Sequence, residues 1–156
     1  KRTKSNSGVV IEGTDAGDVL VKFSNCCNPL PGDDIIGYIT RGYGVSIHKR
    51  TCTNVPKDIS KSEEPERWVS CYWEDEVGAA FRSTLQITAN DRTGLLADVT
   101  IMLSNMHIFI HSLNSRELKN GKAIVTATID VMGRNHLRGV ISKLSDINGI
   151  EEIKRL

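Results

Sequence analysis

Phe81-Arg82-Ser83-Thr84-Leu85-Gln86-Ile87-Thr88-Ala89-Asn90 runs into Asp91-Arg92-Thr93-Gly94 and then Leu95-Leu96-Ala97-Asp98-Val99. Phe81, Ser83, Leu85, Ile87 and Ala89 share one face of a period-two strand. Asn90 to Gly94 is a turn, with Asp91 placed to cap a helix. Leu95, Leu96, Val99, Met102, Leu103 and Met106 then fall on a single helical stripe. Working outward, Ile108 to Glu117 reads as a strand, and Asn120-Gly121 is a hairpin turn after which Lys122 to Met132 pairs back. Arg134 to Asp146 is a second helix with Leu137, Val140, Ile141 and Leu144 inward, and Ile150 to Arg155 is a closing strand. The order is β-α-β-β-α-β.

That order predicts a four-stranded antiparallel sheet with both helices on one face, a ferredoxin-like arrangement. The other face is left open to a partner or a neighbouring domain, and the fold alone assigns no function.

Upstream the pattern shortens. Asp18 to Ser24 alternates, with Val19, Val21 and Phe23 on one side. Asn28-Pro29-Leu30-Pro31-Gly32-Asp33 is a dense breaker cluster and therefore a loop. Ile35 to Thr40 and Val45 to His48 read as two strands about Arg41-Gly42-Tyr43-Gly44. Asn54 to Arg67 is polar, a loop or short helix, and Trp68 to Trp73 alternates again. The reading is thus α+β, a small β-rich domain with its linker at 1–76 and a βαββαβ domain at 77–156. The first domain lies at the size where a core needs a staple.

The composition narrows the function classes. In 156 residues, 20 Lys+Arg against 19 Asp+Glu leave a formal charge of +1, which excludes a globally basic nucleic-acid binder. No apolar run is long enough to span a bilayer, so no membrane partner is expected. The chain opens Lys1-Arg2-Thr3-Lys4 with neither an apolar leader nor an initiator methionine. It reads as a cytoplasmic piece of something longer.

Cys26-Cys27 and His48-x3-Cys52 form the sharpest chemical feature. One helical turn would put His48 and Cys52 on one face. Three sulfurs and an imidazole suit a structural Zn²⁺ with no open position. In a regular strand Cys26 and Cys27 would point apart, so both ligate only if the strand breaks there; otherwise Asp33, Asp34 or water is the fourth partner. Spacing alone leaves two readings open, a metal site or buried small hydrophobes with a strand-end histidine. Cys71, between Val69 and Trp73, reads as core.

Arg41, Lys49 and Arg50, with Tyr38 and Tyr43 among them, make a hairpin stretch with cations and no acid. Such groups hold phosphate and stack on unpaired bases when they share one exposed face. In the later loop, Gly94 permits close backbone approach, helix-start N–H groups attract a carboxylate, and Leu95 and Leu96 offer apolar lining. Helix capping and core packing account for the same residues. His111 reads either toward that loop or as a surface residue.

Ser24-Asn25-Cys26-Cys27-Asn28-Pro29-Leu30-Pro31-Gly32-Asp33-Asp34-Ile35-Ile36-Gly37-Tyr38-Ile39-Thr40, then Gly42 to His48 and Cys52, resembles the zinc-finger (ribosome-intersubunit) domain of long RelA/SpoT proteins, which make and often hydrolyse (p)ppGpp. Asp91-Arg92-Thr93-Gly94-Leu95-Leu96 entering its helix resembles the ACT domain that ends them. The resemblance implies zinc at Cys26, Cys27, His48 and Cys52, and contact with rRNA through Arg41, Tyr43, Lys49 and Arg50. It also implies engagement of the ribosome and deacylated tRNA, restraint of the protein's own upstream catalytic domains, and an ACT homodimer. A branched-chain amino acid is implied at the loop of Asn90, Asp91, Arg92, Gly94, Leu95 and Leu96. The family's catalytic motifs do not occur here, so this chain by itself is expected to catalyse nothing. The alternative is the ACT regulatory subunit of an amino-acid biosynthetic enzyme.

Overall fold

A computed structural model describes residues 8–13, 20–42, 44–74 and 79–156. The chain divides into two units, Lys1–Ala79 and Ala80–Leu156.

In the first unit β-branched and aromatic residues build five short strands: β1 (Val9–Ile11), β2 (Val21–Phe23), β3 (Ile35–Thr40), β4 (Gly44–Lys49) and β5 (Trp68–Trp73). Their order in the sheet is β1-β5-β3-β4-β2. β3 and β4 form the expected hairpin, from Ile35 opposite Lys49 to Thr40 opposite Gly44. β2, which precedes both, lies on the far side of β4 and runs parallel to it, with Phe23 opposite Ile47. Of the expected Asp18–Ser24 strand, Asp18 and Val19 lie outside the described residues, and the strand proper is Val21–Phe23. The 54–67 stretch makes two short 3₁₀ turns, Ile59–Lys61 and Pro65–Arg67.

Val9, Ile11, Ile35, Val45, Ile47 and Cys71 are the buried cluster, with Val21, Phe23, Val69 and Trp73 packed against it. Cys71 is core, as read, and burial pushes its thiol up to about 11. Phe23 and Trp73 stack with ring centroids 5.6 Å apart, and Trp73 Nε1 donates to the Asp33 carbonyl at 3.0 Å. Gly44 has a φ of 92°, and a Cβ there would sit 2.1 Å from the Leu20 carbonyl oxygen. That same carbonyl accepts the Val45 N–H at 2.8 Å, so the glycine is what lets the chain before β2 reach β4.

The second unit contains β6 (Phe81–Asn90), α1 (Leu95–Asn105), β7 (Ile110–Glu117), β8 (Lys122–Val131), α2 (Arg134–Ser145) and β9 (Ile150–Arg155). The sheet order is β7-β8-β6-β9, and every pair is antiparallel. β6 and β8 pair over their full length, Phe81 opposite Val131 to Asn90 opposite Lys122. Large faces small across that pair, with Leu85 opposite Ala127 and Ser83 opposite Ile129, which lets the buried face stay level under the helices. α1 buries Leu95, Val99 and Leu103, and α2 buries Leu137, Val140 and Leu144. The stripe read from sequence is therefore narrower in fact: Met102, Met106 and Ile141 are half-buried and Leu96 is exposed.

One expectation is corrected here. Asp91 does not cap α1. Its N–H donates to the Gly121 carbonyl at 3.0 Å, which holds it to the β7–β8 hairpin four residues before the helix begins at Leu95. The N-cap is Gly94, left-handed at φ 84°, whose carbonyl accepts the Asp98 N–H at 2.9 Å. Among the described residues, no helix is long and apolar enough to cross a membrane.

Candidate metal centre

The parallel pairing of β2 with β4 decides where the cysteines go. Parallel neighbours leave the sheet at the same end, so the segment after Phe23 and the segment after Ile47 emerge side by side. Ser24 N–H still pairs with the Ile47 carbonyl at 3.0 Å, and the strand then stops. The chain turns through Asn25 to Cys27, closed by the Asn28 N–H on the Ser24 carbonyl at 3.0 Å with Asn28 at φ 44°. Asparagine tolerates that left-handed backbone better than most residues. Because the strand has broken, both sulfurs can turn to one side.

His48 lies within β4, and Cys52 follows in a tight turn whose N–H donates to the Lys49 carbonyl at 3.0 Å. The expected single helical turn is thus replaced by a strand end and a reverse turn. Cys26 Sγ lies 3.4 Å from His48 Nδ1, 3.4 Å from Cys52 Sγ and 4.0 Å from Cys27 Sγ. All four ligand atoms fall within 4.8 Å of one another. A tetrahedral ion at ordinary zinc–sulfur distance separates its sulfurs by about 3.8 Å, so the cage fits one such ion. Asp33 and Asp34 are used elsewhere. Asp33 Oδ2 accepts the Leu30 N–H at 2.7 Å, and Asp34 pairs with Arg50 at 3.4 Å.

The electrostatics ask for a cation. Burial raises the Cys26 thiol, but hydrogen bonds from Ser24, Asn54, Cys52 and Cys27 outweigh it and bring it down to about 7. Cys27 is pushed up to about 12, chiefly by burial and further by the two neighbouring sulfurs, against a hydrogen bond from the Lys49 N–H at 3.3 Å. Burial depresses His48 below its ordinary value, which keeps the imidazole neutral and able to ligate. The neighbouring sulfurs ease ionisation of Cys26 but oppose that of Cys27, and a dication in their midst would offset the latter.

With this geometry established, the comparisons with known proteins are specific. The RelA/SpoT RIS domain matches residues 9–74, and an ACT domain matches residues 78–155. The chain belongs to the RelA/SpoT family. A GTP pyrophosphokinase of Streptomyces coelicolor is 36% identical over 156 residues, covering 100% of this chain and 18% of that protein. One of Escherichia coli is 34% identical over 156 residues, covering 99% and 20% respectively. The chain therefore spans about a fifth of the length of these relatives. The crystallised ACT domain from the GTP pyrophosphokinase of Chlorobium tepidum is 22% identical, with a TM-score of 0.45, covering 50% of this chain and 100% of that one.

The basic residues of the RIS unit are spread out. Arg41 is in the β3–β4 turn, while Lys49 and Arg50 lie at the other end of β4, about 17 Å away along a strand of this rise. The sequence reads this hairpin as free of acid, but the fold brings two carboxylates to it. Arg41 pairs with Glu64 at 3.2 Å and Arg50 with Asp34 at 3.4 Å, each pair with one member largely exposed, Arg41 and Asp34. Tyr43 lies outside the described residues.

In the ACT unit a cavity of about 300 Å³ opens at the start of α1, and Asp91, Arg92, Gly94, Leu95 and Leu96 are among the residues that line it. Ser115, Arg116 and Glu117 of β7 line it too, and nothing local in the sequence marks them. Asn90 does not line it. Its side chain accepts Lys122 Nζ at 2.6 Å, and Lys122 also binds Glu151 at 2.7 Å. Arg92 is held by Asp98 at 2.6 Å and by the Asn148 carbonyl at 3.1 Å. His111 is not in the cavity either; its Nε2 meets Asp130 at 2.6 Å and its Nδ1 meets Arg82 at 3.1 Å.

Proposed function

We propose that this chain is the non-catalytic regulatory region of a GTP pyrophosphokinase of the stringent response, whose RIS unit holds a structural Zn²⁺ and engages the ribosome. The observation that carries the reading is the cage of Cys26, Cys27, His48 and Cys52 in a RIS domain, with all ligand atoms within 4.8 Å. With four protein ligands the ion would be closed to substrate and would serve as a staple for a thin sheet. The stapled β4 then carries cations at both ends, Arg41 at one and Lys49 with Arg50 at the other. Exposed pairs with Glu64 and Asp34 give way to phosphate at little cost, so rRNA contact is local and salt-sensitive. Deacylated tRNA on the ribosome and the protein's own upstream catalytic domains are the further partners of this reading.

The test is ribosome co-sedimentation with Arg41, Lys49 and Arg50 each changed to Glu. Binding should fall progressively and its salt dependence should flatten. Unchanged binding in the triple variant would remove the hairpin from the interface.

A second, compatible reading concerns the ACT cavity, whose mix of carboxylates, arginines and leucine suits a branched-chain amino acid. Titration calorimetry with valine, isoleucine and leucine tests it, and no heat at millimolar ligand would dismiss it. The alternative of a biosynthetic regulatory subunit is disfavoured by the RIS unit that precedes the ACT domain.

A further inference from the structure

A second cavity lies beside the cysteine cage in the RIS unit. It measures about 380 Å³, and its walls include Tyr38, His48 and Trp68 together with Glu63 and Glu64 from the link between the two 3₁₀ turns. Tyr38 and Trp68 meet at 4.6 Å between centroids with a 58° tilt, and His48 and Trp68 at 6.0 Å with a 59° tilt. The three rings form an angled aromatic wall, and the rest of the lining joins the two carboxylates with Asn54, Pro56 and Ser62. Among the described residues, no lysine or arginine lines the space.

Aromatic faces carry negative quadrupole potential, and carboxylates add full negative charge, so both favour a cation. They oppose a phosphate-bearing guest for the same reason. The protein already uses this chemistry next door. Arg67, which does not line the cavity, stacks its guanidinium 4.7 Å over the Tyr38 ring while Glu64 holds it at 2.7 Å. The Arg67 guanidinium also holds the Glu64 carboxyl below the usual carboxylate range, so Glu64 is charged at neutral pH. Glu64 is thereby committed to Arg67 and Arg41, whereas Glu63 is an exposed carboxylate at the rim. A guanidinium suits the space better than an ammonium, because a planar cation can lie flat on Trp68 while donating to a carboxylate at its edge.

We propose that this cavity is a docking site for an arginine side chain presented by a basic protein segment, seated on Trp68 and Tyr38 and held by Glu63. The cavity shares Glu64 with the Arg41 ion pair, but its guest is a cation and not a phosphate, so the proposal stands whether or not the hairpin binds RNA.

The test follows the indole Nε1–H resonance of Trp68 in the reduced 156-residue chain, titrated with capped Gly-Arg-Gly, capped Gly-Lys-Gly or adenosine monophosphate. The arginine peptide should shift the Trp68 signal saturably at millimolar concentration and more tightly than the lysine peptide, leaving Trp73 unmoved. Glu63→Gln, an exposed change that leaves the fold alone, should weaken binding about threefold to fivefold. Tyr38→Leu, checked for an unchanged Trp73 signal, should weaken it further. No saturable shift with the arginine peptide, or unaltered affinity in Glu63→Gln, would overturn the proposal. Tighter saturation by adenosine monophosphate would overturn it as well and make the wall a base-stacking platform.

Discussion

The Cys26 and Cys52 sulfurs stand 3.4 Å apart across a sequence separation of 26 residues. The contact exists because β2 and β4 run the same way and leave the sheet together. A bound zinc ion would therefore tie the outer strand to the central hairpin. Elemental analysis of reduced protein should give about one zinc per chain. Cys52→Ser should lower zinc affinity by at least 100-fold, since losing a direct ligand exceeds the loss seen for supporting residues. Chelation should melt the RIS unit and spare the ACT unit, which circular dichroism and the two tryptophan signals would resolve. Metal-free protein with both units folded would defeat this.

Gly42 and Gly44 offer a controlled comparison. Both have positive φ, 81° and 92°, but a Cβ at Gly42 meets nothing within 4 Å while one at Gly44 strikes the Leu20 carbonyl. Gly42→Ala should cost about 1 kcal/mol, the backbone strain alone. Gly44→Ala should cost several-fold more and should detach β2, seen as lost protection of the Val45 amide in hydrogen exchange.

Ser83 is fully buried in the sheet under the helices, and its hydroxyl has no hydrogen-bond partner among the described residues. Ser83→Ala keeps the small volume opposite Ile129 and removes the stranded polar atom. Thermal or urea unfolding should show it neutral to stabilising, by up to about 1 kcal/mol. A clear loss of stability would mean the hydroxyl is satisfied.

Cys71 gives a pH signature outside the cage. Burial raises its thiol from 9.0 to about 11, so the unfolded chain releases that proton first as pH climbs. The stability this thiol confers is whole below pH 9 and drains away up to about 11. Cys71→Ala should flatten the fall in RIS-unit stability across that window, measured by urea denaturation of both proteins. Parallel curves would reject the assignment.

Most of the ACT unit was legible because its chemistry is local. Alternation in β6 and β8 states which face is buried, and Leu95, Val99 and Leu103 repeat at one helical spacing. The cap was misread because Asp91 is a good capping residue in isolation, whereas pairing with Gly121 keeps it in the strand end. The ligating residue types of the cage were legible too, but their meeting depends on a non-local parallel pairing that no short window encodes. The same holds for the acids that reach the hairpin and for Ser115 to Glu117 beside the ACT cavity. Distant partners leave no periodic trace.

His48 takes part in two neighbourhoods at once, with Nδ1 turned to the sulfurs and its ring beside Trp68. Thermodynamic reciprocity follows from that double membership. If a guest on the tryptophan side altered ion capture by some factor, a captured ion would alter the guest's grip by that same factor. Were both sites filled, metal occupancy and guest binding in this module would be linked through this one side chain.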